Sequence, residues 1–155
     1  MKVNIPSLGE IEIKNIVFDY NGTIAIDGKV IENVKETINE LSKDFNFYVI
    51  TADTYGSVQR ELEGTKCEVI KIPKDTQDKS KLDFIKKLGE KNTLSVGNGR
   101  NDTLMLKHSI LGIAILQNEG LCTQTLLHSD ILVKSIFDVF AYLKDEKRLI
   151  ATLRN

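Results

Sequence analysis

The chain holds only two cysteines, Cys67 and Cys122, far apart and without the spacing of a metal site. That scarcity excludes a disulfide framework and fits two small apolar residues buried in a reducing compartment. No run of about 18 apolar residues occurs, so no membrane-spanning helix is expected. Residues 1–10 lack an apolar core of the signal-peptide kind, and a cytoplasmic location is expected. Basic residues form no block and no Lys/Arg-rich amphipathic face, which argues against nucleic acid and membrane surfaces as partners. Internal repeats, low-complexity tracts and linkers are also missing.

What is there is one domain's worth of mixed sequence. The 155 residues are 41% hydrophobic, and 21 basic residues against 22 acidic ones leave a net charge of −1. That is enough apolar material for a core. Residues 1–13 alternate around Ser7-Leu8-Gly9-Glu10 and read as an N-terminal β-hairpin, ahead of a core over residues 14–155. Asn15-Ile16-Val17-Phe18 is apolar on both faces, as in a central parallel strand, and ends at Asp19. Asp27-Gly28 predicts a tight turn in a small hairpin flap just after it. Helices are expected over Glu32–Ser42, Thr54–Glu63 (Thr54 as N-cap), Lys79–Leu88, Asp102–His108, Gly120–Leu127 and Ile136–Leu149. In the last of these, Ile136, Phe137, Phe140 and Leu143 are expected to face the core. Strands are expected over Phe45–Thr51, Glu68–Ile72, Thr93–Val96, Leu111–Ile115 and Ile131–Val133. Such alternation predicts an α/β fold, a three-layer parallel sheet with helices on both faces. Ligands of open sheets of this kind lie at the strand C-termini.

The strand ends carry the chemistry. Asp19-Tyr20-Asn21-Gly22-Thr23 follows the first central strand, Thr51 ends the next, and Gly97-Asn98-Gly99-Arg100-Asn101-Asp102 follows a later one. Lys79 and Lys81 begin the helix before that later strand, and register before the apolar face favours Lys81. Two acids, a hydroxyl and an ammonium at one point suit phosphate and a hard metal ion such as Mg²⁺. A carboxylate can attack phosphorus, a cation can bridge the two negative reactants, and fixed donors can hold the equatorial oxygens. Asp19, Asp102 and a backbone carbonyl near Asn21 are candidate metal ligands; Thr51, Lys81 and the Gly22-Thr23 N–H groups are candidate phosphate donors.

Residues 16–25, Ile-Val-Phe-Asp-Tyr-Asn-Gly-Thr-Ile-Ala, resemble the first motif of the haloacid dehalogenase-like hydrolases. Val49-Ile50-Thr51, Lys81 before Leu82-Asp83-Phe84-Ile85, and residues 96–106 resemble the second, third and fourth, in order. Within that superfamily the sequence looks most like the phosphorylation domain of P-type ATPases and its small soluble relatives. The resemblance implies a Rossmann-like fold, Asp19 as nucleophile, Thr51 and Lys81 on phosphate, and Mg²⁺ held with help from Asp102. Asn101 lies in the fourth motif and joins the candidate phosphate ligands. Residues 30–33 and 64–79 are too short for a cap domain, so the site is expected to be open unless a second copy or a partner chain covers it.

Two positions depart from the family's pattern. Asn21 stands where an Asp commonly shuttles the leaving-group proton, help worth about 10²–10⁴-fold. Asn98 stands where an Asp commonly holds the metal; its amide oxygen can still coordinate, with one charge fewer. The expected substrate is therefore a small phosphorylated molecule with a good leaving group: an acyl phosphate, a nucleotide anhydride or an aryl phosphate. The rival reading is a module that binds a phosphate compound or a partner without turnover. A response-regulator receiver is disfavoured, because no acidic pair precedes Asp19.

Overall fold

The computed structural model describes residues 1–53 and 56–155. In chain order the elements are β1 (Lys2–Ile5), β2 (Gly9–Glu12), β3 (Asn15–Asp19), β4 (Ala25–Ile26), β5 (Lys29–Val30), α1 (Val34–Leu41), β6 (Asn46–Thr51) and α2 (Ser57–Glu61). There follow β7 (Glu68–Lys71), α3 (Gln77–Leu88), β8 (Thr93–Gly97), α4 (Thr103–His108), β9 (Leu111–Ile115), α5 (Thr123–Leu126), β10 (Ile131–Val133), α6 (Ile136–Lys144) and α7 (Glu146–Leu153).

Six strands form one parallel sheet in the order β10-β9-β8-β3-β6-β7. β3 is central because Ile16, Val17 and Phe18 are apolar on both faces and all three are buried. Its alternate side chains feed two cores. Ile16 and Phe18 join α1, α2, α6 and α7, while Val17 packs with Ile85 of α3 and Met105 and Leu106 of α4. The hairpin β1–β2 adds Val3, Ile5, Ile11 and Ile13 to the larger core. The chain leaves β3 toward β6 and β7 on one side, then returns to build β8, β9 and β10 on the other. Loops at the C-terminal ends of β3 and β8 therefore diverge and leave a crevice there.

The flap is β4–β5, closed by a turn with both Asp27 and Gly28 at positive φ. Among the described residues no cap domain is inserted between β3 and α1 or between β6 and α3.

Several elements differ from the sequence expectation. The C-terminal helix is two helices, broken at Asp145, which is extended and caps α7 by accepting from Lys147 N at 3.1 Å. Phe137, expected in the core, is 39% exposed, because the buried stripe of α6 runs through Ile136, Val139, Phe140 and Leu143. α3 starts two residues early, at Gln77, which places Lys81 a full turn inside it. α5 is shorter than expected, since Gly120 takes a positive φ that ends any helix there. Thr54, expected as the N-cap of α2, lies outside the described residues. The cysteines are free, and each is partly exposed rather than buried.

Candidate functional site

Three strand ends and one helix meet at the crevice. β3 delivers Asp19 beside Ile50 of β6, and Thr51 follows at the edge. α3, packed on α4, turns Lys81 inward beneath them. Its ammonium donates to Asp19 Oδ1 at 2.5 Å and to Asp102 Oδ1 at 2.5 Å. Lys81 and Asp102 are fully buried, while the Asp19 side chain keeps 15% of its surface open to the cleft. Of the two candidate lysines, then, Lys81 joins the acids and Lys79 is exposed.

Asp102 has no oxygen facing the cleft, contrary to its expected place among the metal ligands. Its Oδ2 accepts from Asn98 N at 3.0 Å and Gly99 N at 2.9 Å, and its Oδ1 is held by Lys81. A β-carbon at residue 97 would strike that carboxylate, which is why the loop begins with Gly97. Asn98, itself largely buried, borders the cleft instead. Its Nδ2 donates to Gly120 O at 3.0 Å, which turns its Oδ1 away from that anchor.

The loop after Asp19 is folded on itself. Gly22 N donates to Ala25 O at 2.7 Å and Thr23 N to Tyr20 O at 3.3 Å, so the two N–H groups expected to face phosphate are engaged within the turn. The Thr23 hydroxyl is fully buried, has no hydrogen-bond partner among the described residues and is not part of the cleft lining. The Tyr20 backbone beside Asp19 favours its charged form. Gly22 is required: its φ is +76°, and a β-carbon there would collide with the Asn98 amide. Asn21 lines the cleft, but its Oδ1 accepts from Gly28 N at 3.0 Å and so holds the flap turn. Thr51 Oγ1 accepts from Asp53 N at 3.1 Å and lines the same cleft, of about 470 Å³. Asn101 also lines it, with its Nδ2 donating to Gln77 Oε1 at 2.7 Å.

Two side chains that the sequence does not mark brace the turn and flap beside the cleft. Gln117 Nε2 donates to Gly22 O at 3.1 Å and Thr23 O at 2.7 Å, and Glu119 Oε1 accepts from Asp27 N at 2.8 Å. Both sit on the loop after β9, some ninety residues from the flap they hold, and no local pattern marks them. Gln77 was legible in principle, since it precedes Lys81 by four residues and shares its helix face.

Lys81 with two carboxylates leaves one negative charge over. Burial weakens the ammonium, but Asp102 and then Asp19 outweigh it and hold Lys81 above its ordinary value. Burial, then repulsion from Asp102, pushes Asp19 up to about 7 against the pull of Lys81. The excess charge thus falls on Asp19, the one acid of the cluster that faces the cleft. A cation there would offset it. The donors on that side are a carboxylate and an amide oxygen, both hard. Among the described residues no group of three or more His, Cys, Asp or Glu could hold a metal alone, so the donor set fits an ion that keeps several waters, as Mg²⁺ does.

The sheet order and this crevice define the fold: the chain has the fold of the haloacid dehalogenase-like hydrolases. A solved 3-deoxy-D-manno-octulosonate 8-phosphate phosphatase from Moraxella catarrhalis, in complex with magnesium, phosphate and KDO, superposes with a TM-score of 0.67. The match covers 92% of this chain and 94% of that one at 19% identity, a likeness of fold alone. In sequence, the chain is 31% identical over 121 residues to a soluble P-type ATPase-like phosphatase from Methanocaldococcus jannaschii. That match takes in 76% of this chain and 44% of the relative, so the chain spans less than half of that protein. It is also 41% identical over 80 residues to an uncharacterised protein of the same organism, covering 49% of this chain and 86% of the relative. No protein-family model matches the chain. Among the described residues no helix is long and apolar enough to cross a membrane.

Proposed function

We propose that the chain is a Mg²⁺-dependent phosphohydrolase in which Asp19 attacks phosphorus and is transiently phosphorylated. The observation that carries this reading is the cleft-facing charge of Asp19 at the strand-order reversal, backed by the buried Lys81–Asp102 pair. Asp19, the Asn21 carbonyl and Asn98 Oδ1 would hold Mg²⁺, which when bound neutralises the approaching phosphoryl group. Thr51 Oγ1 and the Lys81 ammonium stabilise charge on the phosphoryl oxygens. Asp102 acts through Lys81 and the 98–99 backbone, fixing both in place. Gln77 holds the Asn101 amide at the cleft wall.

Asn21 carries no exchangeable acid proton, and its oxygen is committed to the flap. A substrate whose leaving group departs unprotonated suits such a site: an acyl phosphate, an aryl phosphate or a phosphoanhydride. The same two asparagines, Asn21 and Asn98, favour a second reading, a phosphate- or partner-binding module without turnover. Incubation with acetyl phosphate or an aryl phosphate and Mg²⁺ separates them. Turnover, or a phosphoryl group trapped on Asp19 and seen by mass spectrometry, is expected, and Asp19→Asn abolishes both. A wild-type chain that neither turns over nor becomes labelled belongs to the second reading.

A further inference from the structure

We infer that the cleft selects phosphate compounds whose leaving group is uncharged or cationic, and rejects nucleoside polyphosphates. This rests on the proposed phosphohydrolase reading and narrows its substrate class. Among the described residues the cleft is lined by the carboxylates of Asp19, Asp53 and Glu119 and by neutral groups, with no Lys or Arg. The nearest ammonium, Lys81, is 1% exposed beneath the floor and already bonded to two carboxylates. Arg100 is exposed, but it lines the adjoining groove, beyond the Gln77–Asn101 hydrogen bond that divides the two.

A nucleoside triphosphate brings several negative charges, which binding sites offset with backbone N–H cradles and with Lys or Arg. Here Thr51 and Lys81 serve the transferred phosphoryl group, and the further phosphates would find no Lys or Arg among the described lining residues, while the Gly22 and Thr23 N–H groups are spent inside their turn. Glu119 adds to the mismatch. Its carboxylate is fixed at the flap turn by Asp27 N, so its charge stands at the wall of the cleft and does not sweep freely. A leaving group that carries a carboxylate or further phosphates meets like charge there; a neutral or ammonium-bearing one does not. At a partly solvated separation of several ångströms such a contact is worth roughly tenfold in kcat/KM.

The test uses the purified chain, Mg²⁺ and three aryl phosphates of matched phenol acidity bearing a carboxylate, no charge or a quaternary ammonium, with ATP as the fourth substrate. The corresponding non-hydrolysable phosphonates are titrated by calorimetry in parallel. The ammonium and neutral esters are expected to exceed the carboxylate ester by roughly tenfold, with ATP below all three, and the phosphonate affinities to follow the same order. Glu119→Gln keeps the acceptor for Asp27 N and should shrink the gap; Glu119→Lys should reverse it. Salt at 1 M should flatten it. An order led by ATP or the carboxylate ester, or one indifferent to both Glu119 variants, overturns the inference. Phosphonates that bind in the expected order without any ester being turned over would overturn the phosphohydrolase reading and leave the charge selection standing.

Discussion

Asp19 and Asp102 share one lysine, yet the fold treats them as opposites. Asp102 is buried with three donors on its carboxylate, so its charge is fully met. Replacing it by Asn removes one partner of a buried ion pair and turns an amide N–H₂ toward Lys81 or the 98–99 backbone. Asp102→Asn should cost about 3–5 kcal/mol, read as a lowered urea midpoint. Asp19 bears the uncompensated charge, and the sign of its effect is reversed. An unfolded Asp loses its proton near about 3.9, whereas folded Asp19 holds it up to about 7. Between those values the folded chain binds more protons, so metal-free stability falls as pH rises through that window and levels off above it. Asp19→Asn, melted in EDTA, should therefore be more stable than the wild type at pH 8, with the gap narrowing toward pH 4. A gap that is absent or widens in acid contradicts the charge assignment. A residue that destabilises the empty fold and is needed for chemistry is the usual signature of an active site.

Elements position these residues by register. β3 carries alternating apolar side chains to the two cores, and Asp19 is the first position past the sheet's buried rungs. α3 presents Gln77, Lys81 and Ile85 at four-residue intervals, so burying Ile85 drives Lys81 into the interior and Gln77 to the cleft. The break between α6 and α7 has a sequence cause that the length of the apolar stretch concealed. The stripe of Ile136, Val139, Phe140 and Leu143 would continue through Glu146 and Lys147, which are charged, while the next buried residue is Leu149. One helix cannot bury both sets; two helices joined at Asp145 can. Asp145→Ala should cost about 1 kcal/mol in urea unfolding and speed hydrogen exchange at residues 147–149 while leaving α6 protected. Unchanged exchange there would show that packing of Leu149, not the cap, fixes the start of α7.

At the scale of the whole molecule, strand order makes the site. Because β3 lies between β6 and β8, residues 19, 51 and 98 reach one edge from three separate segments, and the loop after β9 closes the flap from a fourth. A cation at that edge should stabilise the fold by mass action. At about 100 times its Kd, Mg²⁺ should add about 2.7 kcal/mol, seen as a raised melting temperature in the wild type and lost in Asp19→Asn and Asn98→Ala. No shift in the wild type would remove the metal from the proposed chemistry. The sequence by itself determined the alternation of strands and helices and brought Asp19, Thr51, a lysine and Asp102 to the strand ends of one edge, since hydrophobic period and strand ends are local properties. Only the tertiary structure decided that Asp102 turns from the cleft to Lys81, that the Gly22-Thr23 N–H groups serve their own turn, and that Gln117 and Glu119 hold the flap. Each of those depends on which donor meets which acceptor across tens of residues, and burial, which forces every polar group to find a partner, is settled only when the layers close.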